Sequence, residues 1–219
     1  MLLASINSRI NDVDEEGEVS ILSELIYDYQ LYESPNYYEI IEGEKFKMAA
    51  ARPFLKHITI SNRLFSIFED YIDRNDLNAA AFVECDVHLP GGNNTFIPDF
   101  CVVCNFNAVN GDSAIYGVPD LVVEVLSRST MKKDIGIKKD IYERNGVKEY
   151  WIISPWAKSI EVYHLTNGKF EFNNVYQVFT EEEFNSLEES ERAEIQYNIP
   201  VSIFEDLAVD VRKVFKWWN

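Results

Sequence analysis

The run Leu121-Val122-Val123-Glu124-Val125-Leu126 is apolar on both faces of any strand it forms, with a single carboxylate in its middle. Because the pattern does not alternate, neither face can meet water, and the segment belongs in the centre of a sheet covered on both sides. That requirement places the segment between two covering layers. Glu124 then needs a partner, since an unpaired carboxylate is too costly to bury.

Two more ionisable side chains interrupt apolar elements. Asp99 sits in Phe96-Ile97-Pro98-Asp99-Phe100-Cys101-Val102-Val103. Lys138 falls on the apolar stripe of the helix expected after the central strand, a face shared with Ile135, Ile141 and Tyr142. Three such charges in one region point to a metal-dependent hydrolytic site. Two Pro-Asp pairs compete to supply the second carboxylate. Asp120 and Glu124 would lie roughly 13 Å apart on one strand at ~3.3 Å per residue. That is too far for two carboxylates that must each place an oxygen about 2.0–2.1 Å from one Mg²⁺. Asp99, from another strand, can stand beside Glu124 across a ladder spacing of about 4.8 Å. Asp99 and Glu124 are therefore the expected ligands of Mg²⁺, or of Mn²⁺ in its place, and Asp120 is a strand-entry residue. Lys138 beside them could hold the attacking water and stabilise developing charge. Its spacing equally allows it to pair with Asp134 one turn earlier and snorkel outward.

Around this centre the chain reads as an ordered series of elements. An amphipathic helix is expected over Ser20–Tyr32, a hairpin over Tyr37–Met48 turning at Glu42-Gly43, and a long helix from Pro53 to about Arg74. Strands follow over Ala80–Leu89 and Phe96–Cys104, then a loop from Asn105 to Gly117 and the central strand. The next helix, Met131–Asn145, stops at Gly146. Further strands are expected over Val147–Ser154, Ser159–Leu165 and Phe170–Val178. Residues 1–36 read as an N-terminal extension with a helix, and 37–219 as one domain with an acidic excursion near 181–194. His57, near the start of the long helix, has no partner at metal-binding spacing and reads as a structural or accessory residue.

The formal net charge of −17 opposes contact with phosphate polyanions, which is built on Lys and Arg. Its distribution softens that objection. Arg128 through Lys148 holds seven Lys/Arg against three Asp/Glu, so Arg128, Lys132 and Lys133 are expected to contact phosphates flanking the site. Cys85, Cys101 and Cys104 form no disulfide framework, and Cys101-Val-Val-Cys104 lies in a strand, where residues three apart face opposite ways. No signal peptide or membrane-length apolar run is legible, which leads to the expectation of a cytoplasmic protein. P-loop, Gly-x-Gly-x-x-Gly and Gly-x-Ser-x-Gly patterns are absent from the sequence.

Several spaced motifs together resemble the Uma2 family of restriction-endonuclease-like proteins, within the PD-(D/E)XK nuclease superfamily. They are Tyr38-Glu39-Ile40-Ile41-Glu42-Gly43, Met48, His57, Pro98-Asp99, Pro119-Asp120 through Ser127, Asp134, Lys138, Tyr142 and Gly146 through Ile153. The resemblance runs from about Tyr38 to Phe215. It implies an α/β fold, a restriction-endonuclease-like core with a mixed central β-sheet flanked by α-helices, together with a Mg²⁺-type ion and cleavage of DNA. It assigns Asp99 and Glu124 to the metal and Lys138 to a lysine moved from the strand to the next helix. The usual position, two residues after the acid, is Leu126 here. Glu39 resembles an acid that completes the site from outside the core, or it is a hairpin surface carboxylate. The alternative expectation is a catalytically silent nuclease fold acting as a nucleic-acid-binding or protein-interaction module, with a homodimer or another protein as partner.

Overall fold

The computed structural model describes residues 38–47, 55–105, 114–128 and 130–216. The helix expected over Ser20–Tyr32 and the boundary expected between residues 36 and 37 lie outside them. Apart from Tyr38 and Lys47, everything described below belongs to one compact unit.

Strands β1 (Tyr38–Ile41) and β2 (Glu44–Lys47) flank the expected turn, where Glu42 and Gly43 take φ of 52° and 85°. Two successive positive φ values give the turn that matches the twist of a hairpin. Helix α1 spans Leu55–Arg74. Beyond it come β3 (Ala80–Phe82), β4 (Asp86–His88), β5 (Thr95–Phe96), β6 (Phe100–Val103), β7 (Ala114–Tyr116) and β8 (Leu121–Val125). Helix α2 (Met131–Lys133), a widened turn over Asp134–Lys138 and α3 (Lys139–Asn145) lead to β9 (Glu149–Ser154), β10 (Ser159–Thr166) and β11 (Lys169–Gln177). Gly146 closes α3 at φ 87°, giving its N–H to the Glu143 and Tyr142 carbonyls.

Among the described residues the larger sheet runs β11-β10-β9-β8-β6-β3. Its β8–β9 pair is parallel and its other pairs antiparallel, so the sheet is mixed as expected. All five residues of β8 are buried. Leu121, Val123 and Val125 share a core with Phe100, Trp151 and the α1 residues Ile60, Leu64 and Phe68. Val122 belongs to the opposite core, with Cys101, Tyr150, Ile152 and the α3 residues Ile141 and Tyr142. Helices thus cover both faces, which is why the strand carries no polar stripe.

A smaller sheet runs β2-β1-β5-β4-β7. Its strand β7 falls inside the expected loop over 105–117, since three residues are too few to show a period. The two long strands expected at 80–89 and 96–104 are each broken. The first breaks around Glu84, which takes φ 48°, and the second at Ile97-Pro98-Asp99, where proline has no N–H to donate. The β3–β6 and β4–β5 pairs nevertheless keep one continuous antiparallel register. They form a single hairpin bent at a corner, with one half in each sheet. Asp99 lies on that corner.

The acidic excursion consists of two exposed short helices, α4 (Glu181–Ser186) and α5 (Glu189–Glu194). Each opens with reciprocal capping, Thr180 with Glu183 and Glu188 with Glu191, which gives part of the acid a local purpose. The two-stranded β12 (Asn198–Pro200) and β13 (Ala208–Asp210) precede α6 (Val211–Val214). Arg63 ties this end to α1 through the Val214 carbonyl at 2.9 Å. No helix of the described residues is long and apolar enough to cross a membrane.

Candidate active site

Side-chain alternation along β8 sends Glu124 to the face covered by α3, where it is 2% exposed. The chain between β8 and α3 then delivers Lys138. In a regular helix Ile135, three residues before Lys138, would share its face. The turn over Asp134–Lys138 is instead widened and kinked at Gly136, whose φ of −103° and ψ of −107° fall outside the helical region. Residues four apart become the aligned pair. Asp134 and Lys138 are both buried, while Ile135 and Ile137 are 49% and 38% exposed. The expectation that Ile135 faces inward is therefore corrected.

The Lys138 ammonium sits among three carboxylates. Its Nζ lies 2.7 Å from Glu39 Oε1, 2.9 Å from Glu124 Oε1 and 3.3 Å from Asp134 Oδ1. Only the Glu124 contact is an aligned hydrogen bond; Glu39 Oε1 and Asp134 Oδ1 take part as ion-pair partners. Tyr142 Oη donates to the same Glu124 oxygen at 3.2 Å, and Tyr150 Oη donates to the Asp134 carbonyl at 2.9 Å. Pairing with Asp134 does not draw the lysine outward, for its side chain is 3% exposed. Glu39 is buried with it and is not a hairpin surface carboxylate.

Asp99 enters from the corner. Its Oδ2 accepts the Val125 N–H at 2.6 Å and lies 3.3 Å from His57 Nε2. His57 Nε2 also lies 2.8 Å from the Val125 carbonyl. A carbonyl can only accept, so Nε2 carries the proton. His57 thus braces Asp99 against β8 and does not stand alone. Glu124 reaches the site from the strand expected and Asp99 from the break in its expected strand, and Asp120 does not join them. It accepts the Cys104 N–H and pairs with Lys148, both at 2.7 Å, at the entry to β8.

Burial dominates the electrostatics. Desolvation pushes Asp99 up to about 6 against the opposing His57 and Lys138 charges. Desolvation likewise raises Glu124 well above the ordinary carboxylate range, with Lys138 opposing and Asp134, Asp99 and Glu39 adding to the rise. Asp134 rises for the same first reason. Desolvation disfavours the Lys138 ammonium, yet Glu124, Glu39 and Asp134 outweigh it and hold its pKa well above normal. Three carboxylates therefore share one ammonium, with Asp99 nearby, and the raised values reflect a crowding of buried acids that a bound cation would relieve. Among the described residues no three His, Cys, Asp or Glu side chains are disposed as a metal cage. Mg²⁺ needs no such cage, since it commonly takes one or two carboxylates and keeps waters.

Arg128 and Lys132 are exposed at the start of this segment. Lys133 is half-buried, with its ammonium 4.6 Å from the centre of the Phe46 ring.

A model of the Uma2 family, described as "Putative restriction endonuclease", matches residues 26–202. The chain belongs to the Uma2 family. An uncharacterized protein of Synechocystis sp. is 29% identical over 128 residues, which cover 58% of this chain and 65% of that protein's own length. A crystal structure described as a "putative nuclease belonging to DUF820", from Anabaena variabilis ATCC 29413, superposes with a TM-score of 0.62 at 20% identity. It covers 87% of this chain and 96% of that one, and at that identity the likeness shows the fold. In this Uma2 chain the two residues that sequence reasoning underused are Asp134 and Glu149. Asp134 was legible as a partner of Lys138 but not as a buried one. Glu149 opens β9 directly after Lys148, a position where a charge is ordinary, and its burial was not legible.

Proposed function

We propose that this Uma2 chain is an endonuclease that hydrolyses DNA phosphodiester bonds with Mg²⁺ or Mn²⁺. The observation that carries the reading is the crowding of Glu39, Glu124 and Asp134 around Lys138, with Asp99 close enough to raise Glu124 further. Asp99 and Glu124 would hold the ion. Each commits one oxygen to the contacts above, Oδ2 and Oε1 respectively, which leaves Asp99 Oδ1 and Glu124 Oε2 as donors. A bound Mg²⁺ would supply Lewis-acid polarisation of the scissile phosphate. The chain's own residues do the positioning. Lys138 and Tyr142 fix the Glu124 carboxylate from two sides, and His57 with the Val125 N–H fixes Asp99. Lys138 is also the positive charge placed to orient a water against Glu39 and Glu124 and to offset charge on the developing pentacovalent phosphorus.

The test is calorimetric titration of Mg²⁺ and Mn²⁺, paired with nicking of supercoiled plasmid, on wild type and on Asp99→Asn and Glu124→Gln. These near-isosteric variants keep the packing. Wild-type binding and nicking that both variants lose is the expected result. Equal binding in all three proteins would sink the assignment of the ligands. Arg128→Ala and Lys132→Ala should weaken DNA binding evenly across sequences, each lowering the slope of log affinity against log salt by about 0.9. Unchanged slopes would remove these residues from the phosphate path.

The −17 charge favours a second reading, a nuclease fold that binds a partner without catalysis. No metal binding in the wild type, with DNA or protein capture intact, is what that reading requires.

A further inference from the structure

Cys85 and Cys101 place their sulfur atoms 3.7 Å apart, a pairing that the Cys101-Val-Val-Cys104 spacing does not suggest. Cys101 lies in β6 on one arm of the bent hairpin and is wholly buried. Cys85 lies beside the break in the other arm and is partly exposed, between exposed Glu84 and Asp86. A partly exposed cysteine with a second, buried thiol against it is the arrangement of an attacking and a resolving cysteine. The hydrogen bond with Cys101 lowers the Cys85 pKa, with burial opposing, and this favours its reactive thiolate. Cys104 contrasts with it, since burial and then the Asp120 charge push its thiol up to about 12.

We propose that Cys85 and Cys101 form a peroxide-oxidisable dithiol whose closure displaces Asp99. The Cys85 thiolate attacks a hydroperoxide. A sulfur–oxygen bond forms, the oxygen–oxygen bond breaks, and the departing alkoxide or hydroxide takes up a proton. Sulfur is oxidised by two electrons to the sulfenic acid. The Cys101 sulfur then attacks it, the sulfur–sulfur bond forms, and hydroxide leaves with the thiol proton as water. Closure brings the sulfur atoms from 3.7 Å to about 2.05 Å, a movement of roughly 1.6 Å. Cys101 is held on both sides, by Phe82 of β3 and Val122 of β8. The movement therefore falls on the corner, which also carries Asp99 and its bond to the Val125 N–H.

Reduced full-length protein is treated with hydrogen peroxide, quenched, alkylated and mapped by mass spectrometry. Free thiols should fall from three to one, with Cys85 linked to Cys101 inside one chain and restored by a phosphine reductant. Cys101→Ser should stop at a sulfenic acid on Cys85 that dimedone traps, and Cys85→Ser should form neither product. Exchange of the Val125 amide should quicken about tenfold in the cross-linked protein. Oxidation confined to Cys104, or a link between two chains, overturns the dithiol. Unchanged Val125 exchange in fully cross-linked protein overturns the displacement. Neither arm requires nuclease activity, so the result stands apart from the reading above.

Discussion

Lys138→Met is expected to cost about 3–5 kcal/mol of unfolding free energy, the usual penalty for removing one partner of a buried ion pair. The loss does not come from packing, because methionine keeps most of the stem. It comes from leaving Glu39, Glu124 and Asp134 without the ammonium that lies within 2.7–3.3 Å of each. Urea unfolding of the two proteins measures the cost. Glu124→Gln removes one of the crowded anions, so adding it to Lys138→Met should recover part of the loss, and the double-mutant cycle should show coupling above about 1 kcal/mol. A single-mutant cost below about 1 kcal/mol would mean that water screens the cluster as it does a surface pair. The active-site reading rests on that screening being absent. DNA nicking should fall with Lys138→Met at temperatures where the variant remains folded.

Glu149 should give the second large effect, on the opposite face of the sheet. It is wholly buried. Its Oε1 accepts the Trp151 indole N–H at 2.6 Å, and its Oε2 accepts the Ser202 N–H at 2.7 Å and the Ser202 hydroxyl. Both oxygens thus meet a group that can only donate. Glu149→Gln has nearly the same shape but must turn an NH₂ toward one of those donors, at a cost of about 1–3 kcal/mol for the unmet buried group. Glu149→Ala adds a cavity beside Trp151 and should cost about 3–5 kcal/mol. Denaturant midpoints of the three proteins decide the matter. A glutamine variant as stable as wild type would show that the carboxylate's charge is not what holds the 201–207 segment to β9. Metal binding should survive in Glu149→Gln, which separates this staple from the site.

Glu124 and Glu149 also show how far the sequence could be read. Glu124 interrupts an apolar strand, and the argument about buried charge picks it out; Glu149 opens β9 directly after Lys148, where no such interruption marks it. They differ too in what lies opposite in space. Glu149 meets donors at both oxygens, whereas Glu124 has its donors at one oxygen and shares Lys138 with Glu39 and Asp134. No local pattern carries that information. The central strand, the long helix, the β1–β2 hairpin and the stop at Gly146 were legible because each rests on periodicity or on a turn residue. The broken strands were not, because their alternation continues through the corner while the pairing passes from one sheet to the other. Ile135 was misplaced because the helical wheel assumes a constant turn, and the widened turn at Asp134–Lys138 departs from it.

That departure makes spacing as consequential as identity. The kink at Gly136 resets the rotational phase between α2 and α3, much as a shim between two gears fixes which teeth meet. Shortening the segment by one residue would keep every acid and base in the sequence yet turn Asp134 off the line of Lys138. The exposed Arg128 and Lys132 would swing with it relative to the carboxylates. Chain length between β8 and α3 is thus a determinant of the site in its own right, and an alignment that closes a gap there would hide the loss.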